Sequence, residues 1–221
     1  GRLVHERVGA KSFAPDSERF DAAFLAGANR VLVRIESREA AEFQARFRRK
    51  SSTAEHEQLT HAALSRPGNI ERGRKLFFNV EKSICLKCHR LAGQGEPIGP
   101  ELTGIGSRFS RIHIVESILE PSRAIASSFQ TVEVVLKDGR ELSGLAIADR
   151  EGVLTLADTQ GQKHTVAKSE IKERRTQSLS IMPEGLEKAL TVEEFIDLVA
   201  FLVSQKQAVI SNQHHPSKPS A

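Results

Sequence analysis

Cys85-Leu86-Lys87-Cys88-His89 is the stretch of this sequence that decides its fold. It holds both cysteines of the 221-residue chain, with two residues between them, and a histidine directly follows the second cysteine. Two thiols at this spacing lie on one turn and can reach the two vinyl groups of a haem, and the next residue then supplies an imidazole to the iron. The sequence therefore predicts one covalently attached haem c, with Cys85 and Cys88 as thioether donors and His89 as an iron ligand.

The cysteine pair has two other interpretations that stay open at this point. A disulfide across Cys-x-x-Cys is possible, and so is half of a zinc site. Zinc requires about four ligands, and the sequence contains neither a second Cys-x-x-Cys pair nor a His-x-x-x-His partner. The haem interpretation is therefore favoured over the disulfide and the zinc site.

A second protein ligand to the iron is predicted at Met182, the single methionine of the chain, in Ser-Ile-Met-Pro. A methionine on a turn before proline is poorly explained as core filling, and thioether sulfur favours ferrous iron. Histidines are the competing ligands. His113 shares the polar side of a predicted helix with Glu116 and Glu120, and His164 lies near a turn, so both histidines are expected in solvent.

Helical patterns lie on both sides of the motif. Asn69 can cap a helix that carries Gly73 on its apolar face. Thr191-x-x-Glu194 is a capping box that opens a second amphipathic helix. We expect these two helices to cross, with Gly73 allowing close approach to the Leu198–Leu202 stripe.

Between the helices, residues 130–176 predict a small antiparallel β unit. Asp138-Gly139 is a strong two-residue hairpin signal, and further short apolar runs follow at regular spacing. Residues 51–66 have only a weak helical pattern and are predicted to be a linker. The polar tail, residues 207–221, is predicted to be disordered.

The first fifty residues are predicted to be a short β-rich segment. Val31 to Ile35 alternate with charged neighbours after a turn at Gly27. The stretch FLAGANRVLVRIESREAAEFQARF, residues 24–47, resembles the last strands of carbohydrate-binding-type β-sandwich domains. Fifty residues are too few for a whole sandwich, so residues 1–50 are interpreted as a remnant of such a domain or a small docked β element.

From Gly73 to Leu202 the chain resembles the haem-binding cytochrome c domain found at the C-termini of large exported proteins of planctomycetes and verrucomicrobia. The stretches that carry the resemblance are GRKLFF (73–78), CLKCH (85–89), GPELTGIGSRF (99–109), ILEPS (118–122), KDGRELSG (137–144), SIMPEGL (180–186) and LTVEEFIDLVAFL (190–202). The resemblance implies a mainly α cytochrome c fold over residues 67–206, with the antiparallel β unit inserted, and α+β overall. It makes His89 the proximal and Met182 the distal ligand.

A more general likeness to cytochromes c implies further site residues, and the family above implies a setting. The carbonyl of Pro100 would accept a hydrogen bond from the free ring nitrogen of His89. Leu102 would pack on the haem, and Arg108 would pair with a propionate. The family joins such domains to dehydrogenase-like and other domains, so we expect a redox partner protein or a fused dehydrogenase domain. It also implies a periplasmic or otherwise exported location.

Composition limits the remaining function classes. The formal charge is +4, and no aromatic residues interleave with the basic clusters, so nucleic-acid binding is not expected. The sequence contains no run of 18 apolar residues, so it predicts no membrane-spanning helix. We expect electron transfer by a redox module rather than an enzyme acting alone. The alternatives are a haem-based ligand-binding sensor or peroxidase-like domain, and a glycan- or protein-binding module with an accessory haem. The sequence assigns no oligomeric state.

Overall fold

A computed structural model describes residues 3–6, 20–36, 47 and 50–206 of the chain. The chain divides into two compact units, Gly1–Arg49 and Lys50–Ala221. The predicted disordered tail, residues 207–221, lies outside the described residues.

In the first unit the strand predicted at Val31 to Ile35 is absent, whereas residues 7–19 and 37–46 of the predicted β-rich segment lie outside the described residues. Its described residues contain no strand, and Leu32, in the predicted strand, is 90% exposed. Val31 and Ile35 are also about half exposed, at 48% and 51%. Alternation stabilises a strand only where one face is buried and a neighbouring strand pairs with it. The described part of this unit supplies neither, so the pattern alone was misleading.

The second unit contains five α-helices among its described residues. They are α1 (Ala54–Ser65), α2 (Ile70–Phe77), α3 (Ile105–Arg108), α4 (Arg111–Leu119) and α5 (Val192–Ser204). Helix α5 is at the centre, because eight consecutive residues from Phe195 to Leu202 are buried and the other four helices pack around it. The predicted capping box is present: Thr191 Oγ1 accepts from Glu194 N at 3.2 Å, and Glu194 Oε2 accepts from Thr191 N at 2.9 Å.

Five antiparallel strands follow α4 in the chain. They are β1 (Thr131–Leu136), β2 (Glu141–Arg150), β3 (Val153–Ala157), β4 (Lys163–Ala167) and β5 (Ile171–Gln177). Their order in the sheet is β4-β3-β2-β1-β5. The β1–β2 hairpin turns at Asp138-Gly139, as the sequence indicated, and Gly139 takes a positive φ of 89°.

The predicted class, a mainly α cytochrome c fold, is wrong. Of the described residues, about one third are in helices and about one fifth in strands, with a five-stranded sheet beside five α-helices. The antiparallel β unit predicted at residues 130–176 is present as this sheet, which has its own apolar core, made by Val132, Val134, Leu136, Leu154, Leu156 and Val166. The mainly α class was implied by the family resemblance, which gave the strands too little weight.

The linker predicted at residues 51–66 is replaced by a helix. Thr53 caps α1 by accepting a hydrogen bond from His56 N at 3.1 Å. Thr60 and Ala63 of this helix are fully buried, and α1 packs against α4 and α5. The polar, alanine-rich sequence gave only a weak periodic signal, and tertiary packing decided the outcome.

Helices α2 and α5 cross at a glycine. A Cβ atom on Gly73 would overlap the carbonyl oxygen of Asp197 and lie 2.8 Å from Cβ of Phe201. The helices therefore cross at Gly73 as the sequence indicated, with the closest contacts at Phe201, within the Leu198–Leu202 segment, and at Asp197, directly before it. The carboxylate of Asp197, 4% exposed, accepts hydrogen bonds of 2.6 Å from Asn69 N and from Nε of Arg72. Helix α5 thus holds the N-terminus of α2 by a buried charge as well as by packing.

Candidate haem site

The motif forms a tight turn after α2. Cys85–Lys87 is a single 3₁₀ turn, and His89 N donates to the carbonyl of Cys85 at 2.9 Å. Ile84, just before it, has a positive φ of 50°, which is unusual for a β-branched residue. The turn places Cys85 against the helical core, whereas Cys88 contacts a separate apolar cluster on the side of the sheet. The two thiols therefore face different parts of the molecule.

The glycine-rich loop after the motif, residues 93–106, folds back along the motif and holds its backbone by hydrogen bonds. Glu96 N donates to the carbonyl of Leu86 at 3.0 Å, and Gly99 N donates to the carbonyl of Cys88 at 2.7 Å. Farther along, Leu102 N donates to the carbonyl of Arg90 at 2.8 Å. These bonds make residues 96–102 a support for the turn, and they bring Pro100 beneath the histidine.

The His89 ring is held in one orientation. Its Nδ1 lies 2.8 Å from the carbonyl oxygen of Pro100, the contact that the likeness to cytochromes c implied. Because a carbonyl only accepts, Nδ1 carries the proton and Nε2 keeps its lone pair. Gly99 packs on the ring: a Cβ there would lie 2.7 Å from Cε1 and 2.9 Å from Nδ1. Burial lowers the pKa of His89, although the bond to Pro100 and the charge of Glu101 act against it. The imidazole is therefore kept neutral, the form that ligates metals.

The two thiols are both free, and the pKa of each is raised. Burial raises the pKa of Cys85, whose Sγ donates to the carbonyl of Ser83 at 3.3 Å. Burial also raises the pKa of Cys88, and the nearby charge of Asp158 adds to this effect. Redox-active dithiols need the opposite, a lowered pKa. The environment therefore does not suit a thiolate nucleophile or an exchanging disulfide.

The zinc interpretation finds no support in the structure. Across the described positions, no three His, Cys, Asp or Glu side chains form a group that could hold a metal ion. A haem iron needs only one imidazole and at most one further protein ligand, so this finding bears on zinc alone.

Met182 lies against the same helical core as Cys85. It is half-buried, and its backbone N–H is held by Oγ of Ser180 at 3.1 Å. Its neighbour Ile181, 8% exposed, belongs to the apolar cluster that Cys88 contacts. Two neighbouring residues of the Met-Pro turn therefore touch the same two clusters as the two cysteines.

The two competing histidines each have a partner of their own. The His113 ring stacks on Phe109 at a centroid distance of 4.4 Å. His164 Nε2 lies 2.8 Å from Oδ2 of Asp158. Both side chains are half-buried, whereas the sequence predicted that they lie in solvent.

The remaining predicted residues have mixed positions. Leu102 is buried in the helical core at 8% exposure. Arg108 is exposed, donates to the carbonyl of Glu101, and lies over the Phe109 ring with Cζ 5.7 Å from its centroid. Arg90, which the sequence reasoning passed over, has a buried Nε with no hydrogen-bond partner in the structure. A buried guanidinium N–H of this kind would be satisfied by a carboxylate on a bound group.

Two glycines of the site were also missed. Gly99 supports the imidazole face, and a Cβ on Gly95 would overlap the carbonyl oxygen of His89. The signal was present in the unusual density of glycine between residues 93 and 106, but sequence alone does not tell which glycine meets which atom.

Comparisons with known proteins return no identification. No protein-family model matches the chain, and no curated protein matches it. Within the part of the chain that the structure describes, no helix has both the length and the apolar character to cross a membrane.

Proposed function

We propose that this chain binds one haem covalently through Cys85 and Cys88 and serves as a one-electron carrier. The observation that carries this proposal is the state of His89. Its Nδ1–H donates a hydrogen bond to the carbonyl of Pro100 at 2.8 Å, and Gly99 packs on the face of the ring. Its Nε2 keeps a lone pair, and the two cysteines of the same motif are free thiols. A histidine prepared in this way is a metal ligand whose orientation is set before binding.

The residues present fit a haem. Cys85 and Cys88 would hold the vinyl side chains, and His89 would hold the iron. The buried, unpartnered Nε of Arg90 would suit a propionate better than Arg108, which already donates to Glu101. When bound, the haem would supply a metal that alternates between ferrous and ferric states. The protein's part is then to exclude water and to set the potential.

The first test is covalent attachment. After expression with haem-maturation machinery, the denatured protein should gain the mass of one haem and keep it through organic extraction. Replacing both cysteines by alanine should abolish the gain. Lys87→Ala, an exposed change between the two cysteines, should leave it intact. A colourless wild-type protein under these conditions would overturn the proposal.

We propose Met182 as the second iron ligand. Met182→His should lower the reduction potential while the spectrum stays low-spin, because imidazole favours ferrous iron less than thioether sulfur does. Met182→Ala should let ferrous protein bind carbon monoxide, which wild type should bind weakly or not at all. His113→Gln is the matched control and should change neither property. Rapid binding of carbon monoxide by wild type would favour a ligand-binding sensor instead.

We further propose an exported, periplasmic location and a redox partner protein or fused dehydrogenase domain. Thioether attachment requires reduced cysteines and haem delivered outside the cytoplasm. Expression in the cytoplasm without maturation factors should therefore yield protein without haem. That protein should be less stable than the haem-loaded form, as expected when a native-state ligand is withheld.

A further inference from the structure

A small apolar cluster joins the motif to the sheet, and we call it the junction cluster. Its buried members are Ile98, Leu145, Ala157 and Ile181, and Cys88, Phe129 and Ile147 pack against it. Leu145 is 4% exposed and Ala157 is fully buried. These residues come from the motif and the loop after it, from the short turn before β1, from strands β2 and β3, and from the turn that carries Met182. The sheet therefore covers Cys88 rather than standing apart from it.

The sheet presents this cluster on a surface separate from its own core. Leu154 and Leu156 of β3 point into the sheet core, whereas Ala157, the next residue, belongs to the junction cluster. In β2, Ala146 packs on the sheet core while Leu145 and Ile147 belong to the junction. Alternation along two strands thus supplies one face for the sheet and another for the motif.

The turn between β3 and β4 also contacts the motif backbone. A Cβ on Gly161 would lie 2.7 Å from the carbonyl oxygen of Lys87. At the rim, Lys163 Nζ pairs with Oε2 of Glu96 at 3.0 Å, a half-exposed pair that contributes little energy. The approach at Gly161 is too close for a side chain, so the sheet and the motif turn fit each other at the level of the backbone.

A second connection runs from the sheet to Met182. Thr131, at the start of β1 and 6% exposed, makes two hydrogen bonds to the carbonyl of Leu179, from N at 3.0 Å and from Oγ1 at 2.8 Å. Ser180 N donates to Oγ of Ser122 at 3.2 Å, and Ile181 then enters the junction cluster. The three residues before Met182 are therefore fixed one after another.

We infer that the five-stranded sheet is a wall of the haem site, in which Leu145 shields the Cys88 side from water and Thr131 positions the turn that carries Met182. This inference rests on the proposed function and deepens it. The apolar shell around a metal centre controls solvent access and hence the reduction potential. Leu145 and Thr131 are positioning residues, because they act through Cys88 and through Met182.

The test compares two buried leucines of the sheet in haem-loaded protein. Leu145→Ala opens the junction cluster and should lower the reduction potential, because added water favours ferric iron. Leu154→Ala opens the sheet core, costs comparable stability, and should leave the potential unchanged. Leu145→Met, which conserves volume, should restore the wild-type potential. A shift of equal size in Leu145→Ala and Leu154→Ala, or no shift in either, would overturn the inference.

A milder variant guards against loss of folding. Thr131→Val keeps the shape and the backbone N–H but removes the hydroxyl bond to Leu179. It should speed carbon monoxide binding by about tenfold, the order of effect seen when residues that support metal ligands are changed. An unchanged rate would count against the positioning role. If wild type carries covalent haem but these variants change neither the reduction potential nor the rate of carbon monoxide binding, only this inference fails. If wild type carries none, the proposed function fails and the inference fails with it.

Discussion

The helical core and the sheet core are built from contacts of different range. The helical core brings Ala63 of α1 and Phe77 of α2 together with Phe195 of α5. The sheet core is complete between Val132 and Ile171. The helical core is therefore closed by the two ends of the unit, whereas the sheet core is closed by three hairpins and by the pairing of β1 with β5, all within about fifty residues. The motif lies where the two meet, so its geometry depends on both a long-range and a local structure.

The largest expected effects come from cavities, one in each core. Leu119→Ala in the helical core and Leu156→Ala in the sheet core replace side chains that are 2% and 1% exposed. Each should lower the free energy of unfolding by about 2–5 kcal/mol. Hydrogen exchange separates the cores: Leu156→Ala should speed exchange mainly in β1–β5, and Leu119→Ala should speed it in all the helices that pack on α5. Equal acceleration everywhere in both variants would show one cooperative unit.

The next effect tests the closest contact of the helical core. Gly73→Ala should destabilise by about 1–3 kcal/mol, because the new methyl group meets the backbone of α5. Helix propensity alone predicts the opposite sign, a gain of about 1 kcal/mol. Lys75→Ala, at an exposed position of α2, is the control and should change stability by less than about 0.5 kcal/mol. Urea unfolding measures all three proteins, and a stabilised Gly73→Ala would mean that the helices do not cross there.

A loss no larger than that of Gly73→Ala is expected where charge rather than packing joins α2 to α5. Asp197→Asn keeps the volume but removes the charge that accepts from Asn69 and Arg72, and it should cost about 1–3 kcal/mol. Arg72→Gln leaves the buried carboxylate with only its bond from Asn69. Because a buried charge without its partner is worse than a neutral amide, Arg72→Gln should be at least as destabilising as Asp197→Asn. The reverse order in urea unfolding would show that the pair is unimportant.

The smallest effect belongs to the turn between β3 and β4. Burial alone would raise the pKa of Asp158, but hydrogen bonds from His164 and from the backbone of Gln162 and Gln160 outweigh it and lower the pKa. A carboxylate with a lowered pKa stabilises the folded state above its unfolded pKa of about 3.9. That contribution is lost as the pH falls through the folded value. Wild type should therefore lose stability faster than Asp158→Asn as the pH falls below about 4. If the free energies of unfolding of wild type and Asp158→Asn fall in parallel with pH, the lowered pKa of Asp158 is contradicted.

Sequence reasoning predicted the parts of this fold whose signals are local. The hairpin at Asp138-Gly139 and the capping box at Thr191 each depend on a few adjacent residues, and both are present. Helix α1 was missed because its stability comes from burying Thr60 and Ala63 against other helices. The N-terminal strand was wrong for the converse reason, since alternation without a partner strand decides nothing.

The site divides in the same way. The hydrogen bond from His89 to the carbonyl of Pro100 was anticipated from the likeness to cytochromes c. The support from Gly99, the unpartnered Nε of Arg90 and the contact of Leu145 with the motif side were not. Each of these depends on which side chains meet across the fold, and no period or spacing in the sequence records that.

The central position of α5 has a consequence for the order of folding. Helix α2 packs against α5, which begins more than a hundred residues later in the chain, whereas all five described strands end by Gln177. Contacts of long sequence separation form late because the intervening chain must first be closed into a loop. As the chain leaves the ribosome, the sheet can therefore assemble while Cys85, which packs against the helical core, is still accessible. The arrival of Val192–Ser204 then completes that core and ends the interval.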